Sequence, residues 1–175
     1  MTMAETDMDL APAADDRRGT LGVGQDGAWQ IRFERRLAHA PERVWAALAE
    51  PEQRARWMPG VTLDAAPGGT ARYDFGEEGA AEGRVLVADP PHRLEHTWRW
   101  PGEPEAVVRW EITPEGEGSL LVLLHRPLAA EPAVHYCVGW HAMLDGLGAH
   151  LAGDTPAEPD YAALAEGYAR AASAG

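Results

Sequence analysis

Apolar and polar residues alternate along most of this chain, and the period of the alternation changes from segment to segment. In WQIRFERRL, Trp29, Ile31 and Phe33 alternate with polar residues, which predicts a half-buried strand. Period two returns after residue 60 in six segments: VTLDAA, TARYDF, AEGRVLVAD, HRLEHTWRW, AVVRWEIT and SLLVLLHRPL. Short turn-forming segments separate them and leave no room for crossover helices. The pattern therefore predicts a seven-stranded antiparallel sheet.

Helical spacing occurs on either side of these six segments. HAPERVWAALAEPEQRARWMPG has Pro41 and Pro51 at the first turns of two short helices, the second of which ends at Trp57. VGWHAMLDGLGAHLAG predicts a long helix with one apolar face that ends at Gly153. The predicted fold class is α+β, with the sheet curled around the long C-terminal helix and the two short helices after the first strand.

The composition changes twice along the chain and predicts three parts. Residues 1–26 are acidic and rich in Ala, Pro and Gly without a period, which predicts a disordered leader. Residues 27–153 hold all the predicted strands and the long helix in one domain. Residues 154–175 form a tail in which Tyr161, Leu164 and Tyr168 have the spacing of a further short helix. Intramolecular packing of that helix is the expectation, and a contact with a partner is the alternative.

A curled sheet and a straight helix do not touch along their full length, so a hollow is expected between them, closed at one end by the short helices. Alternation places a set of aromatic and polar residues on the faces that would line it. The candidate ligand-binding residues are Trp57, Tyr73, Phe75, His96, Trp98, Trp110, His125, Trp140 and Met143. The alternative for each aromatic residue is ordinary core packing.

Charge and cysteine content exclude several partner classes. The chain has 28 acidic and 15 basic residues, a formal net charge of −13, which argues against binding to nucleic acid or to an anionic membrane. The first 20 residues carry acids where a signal peptide carries basic residues, so we expect a soluble cytoplasmic protein. Cys137 is the only cysteine, which rules out an internal disulfide.

The sequence lacks the motifs of common catalytic and cofactor sites. Serine occurs only at Ser119 and Ser173, without a nucleophile-elbow motif, and the histidines lack metal-ligand spacing. GVGQDG matches a dinucleotide fingerprint but does not lie between a predicted strand and helix. Cys137 lies just before the predicted long helix, where its pKa could be lowered, although an inert thiol is the favoured interpretation. We expect no cofactor and no metal.

Several segments together resemble a known superfamily. FERRLAHAPERVWAALAEPEQRARW, PGGTARYDF, GRVLVADPPHRLEHTW, SLLVLLH and GWHAMLDGLGAHLAG are similar, in order, to the motifs of the START-like superfamily called SRPBCC. The branch is the one similar to the activator of the heat-shock-protein ATPase, and the resemblance runs from Trp29 to Gly153. It implies the helix-grip fold with a cavity for hydrophobic ligands, but it does not imply a reaction.

Three functions are compatible with these observations. The lack of catalytic motifs favours a protein that binds or sequesters a small hydrophobic or aromatic molecule, as a monomer or homodimer. An aromatase or cyclase acting on a polyketide-like substrate would use His96, His125 or Tyr73 as general acid or base. A co-chaperone-like interaction module would use its surface instead.

Overall fold

The computed structural model describes residues 17–174. Within this range eight strands occur: β1 (Thr20–Val23), β2 (Trp29–Leu37), β3 (Val61–Leu63), β4 (Thr70–Asp74), β5 (Ala80–Asp89), β6 (Arg93–Trp98), β7 (Ala106–Glu115) and β8 (Gly118–Leu128). The α-helices are α1 (Pro41–Ala49), α2 (Pro51–Trp57), α3 (Ala130–Ala152) and α4 (Tyr161–Ala174), and a short 3-10 helix spans Gly76–Glu78.

All eight strands belong to one antiparallel sheet, in the order β1-β2-β8-β7-β6-β5-β4-β3. Strands β3 to β8 form a meander, and β2 pairs with β8, the last strand of that meander. The long helix α3 packs on the inner face of the sheet, where the largest apolar side chains are buried. The predicted α+β helix-grip architecture is thereby confirmed.

The sheet has one strand more than the sequence predicts. Residues Thr20–Val23 form the edge strand β1, inside the segment expected to be a disordered leader, and Leu21 pairs with Ile31 of β2. The segment TLGV is too short for its period to be recognised, and it is ordered by its contacts with β2, α3 and α4. The rest of the leader prediction falls largely on residues 1–16, which lie outside the described residues.

The two short helices are held together by side chains that bond to backbone carbonyls. Pro41 and Pro51 each occupy a first helical turn, and Glu50 between the helices has an extended backbone. The buried guanidinium of Arg54 donates to the carbonyl oxygens of Leu48 and Ala49, which are otherwise unpaired at the end of α1. This packing fixes the direction in which α2 ends and brings its last residue, Trp57, to the core.

The long helix begins eight residues earlier than the segment that predicts it. It runs from Ala130 to Ala152 and ends at Gly153, whose left-handed backbone (φ 78°) closes the last turn. Cys137 therefore lies two turns inside the helix rather than before it, and its side chain is fully buried. Burial raises the pKa of this thiol to about 12, which supports the inert interpretation.

The tail beyond Gly153 packs on the domain through its helix α4. Tyr168 is buried against the rings of Phe33 and His141. Its hydroxyl accepts a hydrogen bond of 2.8 Å from the Gly19 backbone N–H, beside strand β1. Tyr161, which the same spacing would place on this face, is exposed. Leu164 packs against the core beside Tyr168, so α4 contacts the rest of the chain through its middle.

Candidate functional site

Aromatic side chains from six elements meet between the sheet and α3. We call this set the aromatic cluster; its members are Trp57, Tyr73, His96, Trp98, Trp110, His125, Tyr136 and Trp140. The strand residues point inward by alternation, and Trp57 enters from the end of α2. Tyr136 and Trp140 lie one turn apart on α3. Seven of these eight residues are among those predicted from the sequence to line a hollow.

The rings contact one another instead of surrounding an open space. Tyr73 and Trp98 have ring centroids 4.8 Å apart, and Trp98 and His125 are 5.0 Å apart. Trp110 packs edge-to-face against Trp140 at 5.5 Å and against Trp57 at 6.4 Å. These separations are those of ordinary aromatic contact. Side chains therefore fill the part of the molecule where alternation predicted a hollow.

Two of the predicted lining residues lie elsewhere. Phe75 follows the last residue of β4, where the chain turns into the 3-10 helix, so the alternation that places Tyr73 inward no longer applies. It is 38% exposed and contacts Trp100. Met143 is only half-buried and faces a groove on the other side of α3. Helical spacing alone did not distinguish the two sides of this helix, because both carry apolar residues.

His96 and Tyr73 form a buried hydrogen-bonded pair. The His96 Nδ1 lies 3.0 Å from the Thr97 carbonyl oxygen, which accepts only, so Nδ1 carries the proton. The unprotonated Nε2 then accepts from the Tyr73 hydroxyl at 3.1 Å. Burial lowers the pKa of His96 to about 4 and raises the pKa of Tyr73. Both groups are therefore neutral near pH 7, with their protons in defined positions.

His125 has one ring nitrogen without a partner. Its Nδ1 accepts from the Trp140 indole N–H at 3.0 Å, and an indole nitrogen is only a donor. The proton of the neutral ring is therefore on Nε2, which is buried and makes no hydrogen bond within the described residues. Burial lowers the pKa of His125 to about 3, so the ring stays neutral. His125 thus presents one unused donor inside the aromatic cluster.

Trp110 provides a second unused donor on the adjacent strand. Burial raises the pKa of Tyr73, and the nearby indole N–H of Trp110 opposes this rise. The same N–H forms no hydrogen bond of acceptable geometry among the described residues. Trp110 pairs in register with Leu123, two residues from His125. The side chains of Trp110 and His125 lie on the same face of the sheet as diagonal neighbours. One small molecule can span the distance between them.

Sequence reasoning missed Tyr136. Its hydroxyl accepts from the Trp98 indole N–H at 2.9 Å and donates to Glu103 at 2.8 Å, and its ring lies 4.6 Å from that of His125. The residue was overlooked because the long helix was expected to begin at Val138. The spacing of Ala133, Cys137 and Trp140 continues the helical period backwards and could have found it.

Within residues 17–174 no group of three or more histidine, cysteine, aspartate or glutamate side chains is placed to hold a metal ion. None of the helices in this range is both long enough and apolar enough to span a membrane.

Comparisons with known proteins were made against families, curated proteins and solved structures. The model of the family "Activator of Hsp90 ATPase homolog 1-like protein" matches residues 38–152. This range runs from the residues before α1 to the end of α3 and includes the whole aromatic cluster. No curated protein matches the sequence.

Solved structures share the fold over most of the chain. CalU16 from Micromonospora echinospora is 27% identical with a TM-score of 0.72, and the alignment covers 89% of this chain and 94% of that one. BPP1335 from Bordetella parapertussis is 32% identical with a TM-score of 0.64, covering 81% and 84%. DynU16, described as a putative protein in the dynemicin biosynthetic locus, is 23% identical with a TM-score of 0.66, covering 75% and 50%.

Proposed function

Because the chain belongs to the Activator of Hsp90 ATPase homolog 1-like family, we propose that it binds a small hydrophobic or aromatic molecule at the aromatic cluster. The observation that carries the proposal is the unused Nε2–H of His125 in a fully buried position. A buried donor without an acceptor costs about 1 to 3 kcal/mol of folding free energy. A ligand that supplies the acceptor recovers this energy on binding.

The two unused donors define the chemistry of the ligand. His125 and Trp110 both offer N–H groups, so the ligand needs an acceptor such as a carbonyl oxygen. Aromatic rings around these donors favour a flat apolar body. The cluster contains no charged side chain, so a neutral aromatic ketone fits better than an ion. The description of DynU16 as a protein of a biosynthetic locus is compatible with a small-molecule ligand for this chain.

Binding at a filled cluster requires one side chain to move. Trp57 is the most exposed of the cluster's tryptophans, at 6%, and it lies at the end of the seven-residue helix α2. Its indole N–H donates to the Ala47 carbonyl oxygen at 2.9 Å, so outward movement costs one hydrogen bond. We therefore expect the ligand to select a minor state in which Trp57 has swung away from Trp110.

A matched pair of probes tests the proposed function. Calorimetry with 9-fluorenone and with fluorene, which lacks the carbonyl group, should show saturable binding of the ketone with about tenfold higher affinity, the value of one net hydrogen bond. His125→Phe should reduce the ketone's affinity to that of the hydrocarbon. His135→Phe, at an exposed position of α3, is the control and should change neither the affinity for 9-fluorenone nor that for fluorene. Equal affinities in the parent protein, or no saturable binding at all, would refute the proposal.

A cyclase-type reaction on a polyketide-like substrate is a second candidate, favoured by the Tyr73–His96 pair. The hydroxyl of Tyr73 donates to the unprotonated Nε2 of His96. The Tyr73 oxygen can therefore take a proton from a carbon acid while its own proton passes to His96, and the reverse transfer returns that proton to a substrate oxygen. Tyr73→Phe should then lower turnover about a hundredfold or more and change substrate affinity by less than tenfold. A binding protein would show no turnover for the variant to lower.

A further inference from the structure

A concave site lies on the opposite side of α3 from the aromatic cluster. The end of α2, the outer face of α3, residues 156–160, the start of α4 and the segment at Arg17 and Arg18 enclose a groove of about 710 Å³. We call it the outer groove. Its volume falls within the roughly 300 to 1,000 Å³ typical of small-molecule sites. Trp57 lines it on one side and contacts Trp110 of the aromatic cluster on the other.

The acidic residues of the outer groove are mostly engaged. Asp145 pairs with the buried Arg35 at 2.9 Å and with Arg17 at 3.3 Å. Asp160 accepts from the Ala163 backbone N–H at 3.0 Å and so caps α4. Glu158 is exposed. Two of the three carboxylates that line the groove therefore already have donors.

The arginines of the groove are ion-paired to the same extent as its acids, with one of three in a pair. Within residues 17–174, Arg56 and Arg18 form no ion pair, unlike Arg17. Arg18 lies over the Tyr168 ring with its guanidinium carbon 5.1 Å from the centroid. The pKa of His150 is lowered by partial burial and then by the charges of Arg43 and Arg56. Three arginines and three carboxylates line the groove, so its formal charge is balanced although the chain carries a net charge of −13.

Apolar side chains form the remainder of the wall. Trp57, Met143 and Leu164 line the groove, and Gly146 lies beside Trp57, where an added Cβ would make ordinary van der Waals contact at 3.7 Å. An apolar wall with unpaired guanidinium groups suits a molecule that has an apolar body and an acidic group. Guanidinium groups bind carboxylate, sulfonate and phosphate groups through paired N–H donors.

We infer that the outer groove is a binding site for a small anionic molecule with an apolar ring system or chain. Arg56 and Arg18 hold the acidic group, and Trp57, Met143 and Leu164 contact the apolar part. The site differs from the aromatic cluster in the charge of its ligand, because the cluster has only neutral donors. Since both arginines are exposed to solvent, the affinity depends on ionic strength.

Two fluorescent probes that differ in one charged group test the inference. 1-Anilinonaphthalene-8-sulfonate should bind saturably at low salt, about tenfold or more tighter than the uncharged N-phenyl-1-naphthylamine. Arg56→Gln should lower the affinity for the sulfonate about tenfold and leave that for the neutral probe unchanged. Arg126→Gln, an exposed arginine that does not line the groove, is the matched control and should change neither.

Removing the exposed carboxylate of the groove should have the opposite effect. Glu158→Gln should raise the affinity for the sulfonate severalfold, because it removes a like charge near the acidic group. Competition by 1-naphthoate and by 1-naphthyl phosphate, with 1-naphthol as the uncharged control, then distinguishes a carboxylate from a phosphate ligand. Displacement by either anion but not by 1-naphthol supports the inference.

Other outcomes overturn the inference, and they are distinct from failure of the proposed function. Equal affinity for the charged and neutral probes, or an unchanged affinity for the sulfonate in Arg56→Gln, excludes the anion site. Loss of sulfonate binding in His125→Phe but not in Arg56→Gln would place the probe in the aromatic cluster instead. Fluorenone binding that depends on His125 is unaffected by any of these results.

Discussion

Two buried histidines, His125 in the aromatic cluster and His141 beneath helix α4, share one kind of hydrogen bond but differ in what surrounds the rest of the ring. Each accepts a hydrogen bond at Nδ1 from an aromatic side chain, Trp140 for His125 and Tyr168 for His141. Burial lowers the pKa of both, to about 3 and about 4. The Nε2 of His141 lies 3.5 Å from Asp145, whereas that of His125 has no partner among the described residues.

We interpret the difference as that between a structural network and the proposed binding site. Around His141 both ring nitrogens lie next to a polar group. Gly19 donates to Tyr168, and Tyr168 donates to His141. Asp145, next to the other ring nitrogen, pairs with Arg35, whose Nε makes no hydrogen bond among the described residues. This network stabilises the contact of α4 and the first strand with α3. Around His125 the Nε2–H remains unused, and an apolar residue there would remove this donor but leave the Trp140 N–H without its acceptor.

Acidification should have the largest effect on both regions. His96, His125 and His141 have pKa values of about 4, 3 and 4 in the folded protein and about 6.5 when unfolded. The unfolded chain therefore binds more protons below pH 6.5, so stability is complete above this pH and falls as the pH drops towards 4. The loss approaches about 1.4 kcal/mol per pH unit for each histidine. Urea unfolding at pH 7, 6 and 5 measures it, and a flat profile would contradict the buried neutral state.

Removal of the Asp145 carboxylate should strongly affect the His141 region alone. Asp145→Ala leaves the guanidinium of Arg35, which is 8% exposed, without its counter-charge. We expect the free energy of unfolding to fall by about 3 kcal/mol. This value is at the lower end of the range for breaking a buried ion pair, because Asp145 itself is partly exposed. The matched control is Glu166→Ala, which breaks an exposed pair with Arg170 and should cost about 0.5 kcal/mol. Similar losses for the two variants would show that the network around Asp145 has no special role.

Two tyrosine substitutions should have the smallest effects on the free energy of unfolding, and they compare the two regions directly. Tyr168→Phe leaves the Gly19 N–H and the His141 ring without their shared partner, so we expect a loss of about 2 kcal/mol. Tyr136→Phe leaves only the Trp98 N–H without its acceptor inside the aromatic cluster, and about 1 kcal/mol should be lost. Chemical denaturation at pH 7 gives both values. If Tyr136→Phe proved the more destabilising, the hydrogen bonds of the aromatic cluster would contribute more to stability than those around His141. The proposed role of the cluster in binding would then lose support.

The hydrophobic pattern predicted the fold because each strand of the domain buries one face. Leu94, His96 and Trp98 of β6 are all buried, as period two requires. The pattern failed where ordering comes from a neighbour, as for β1, or where a strand ends, as for Phe75. It also could not show whether the inward-facing rings surround a space or fill it, because that depends on side-chain volumes and rotamers. The unused donor of His125 depends on tautomers and partners that no spacing encodes.

The position of Cys137 has a practical consequence for spectroscopy. Its thiol is buried inside α3 with a pKa of about 12, so it forms little thiolate near neutral pH and does not compete for maleimide or iodoacetamide reagents. A cysteine introduced at an exposed site, such as Val23→Cys on the edge strand, would then carry a dye or spin label selectively. The protein can thus be labelled at a chosen position without removing its native cysteine.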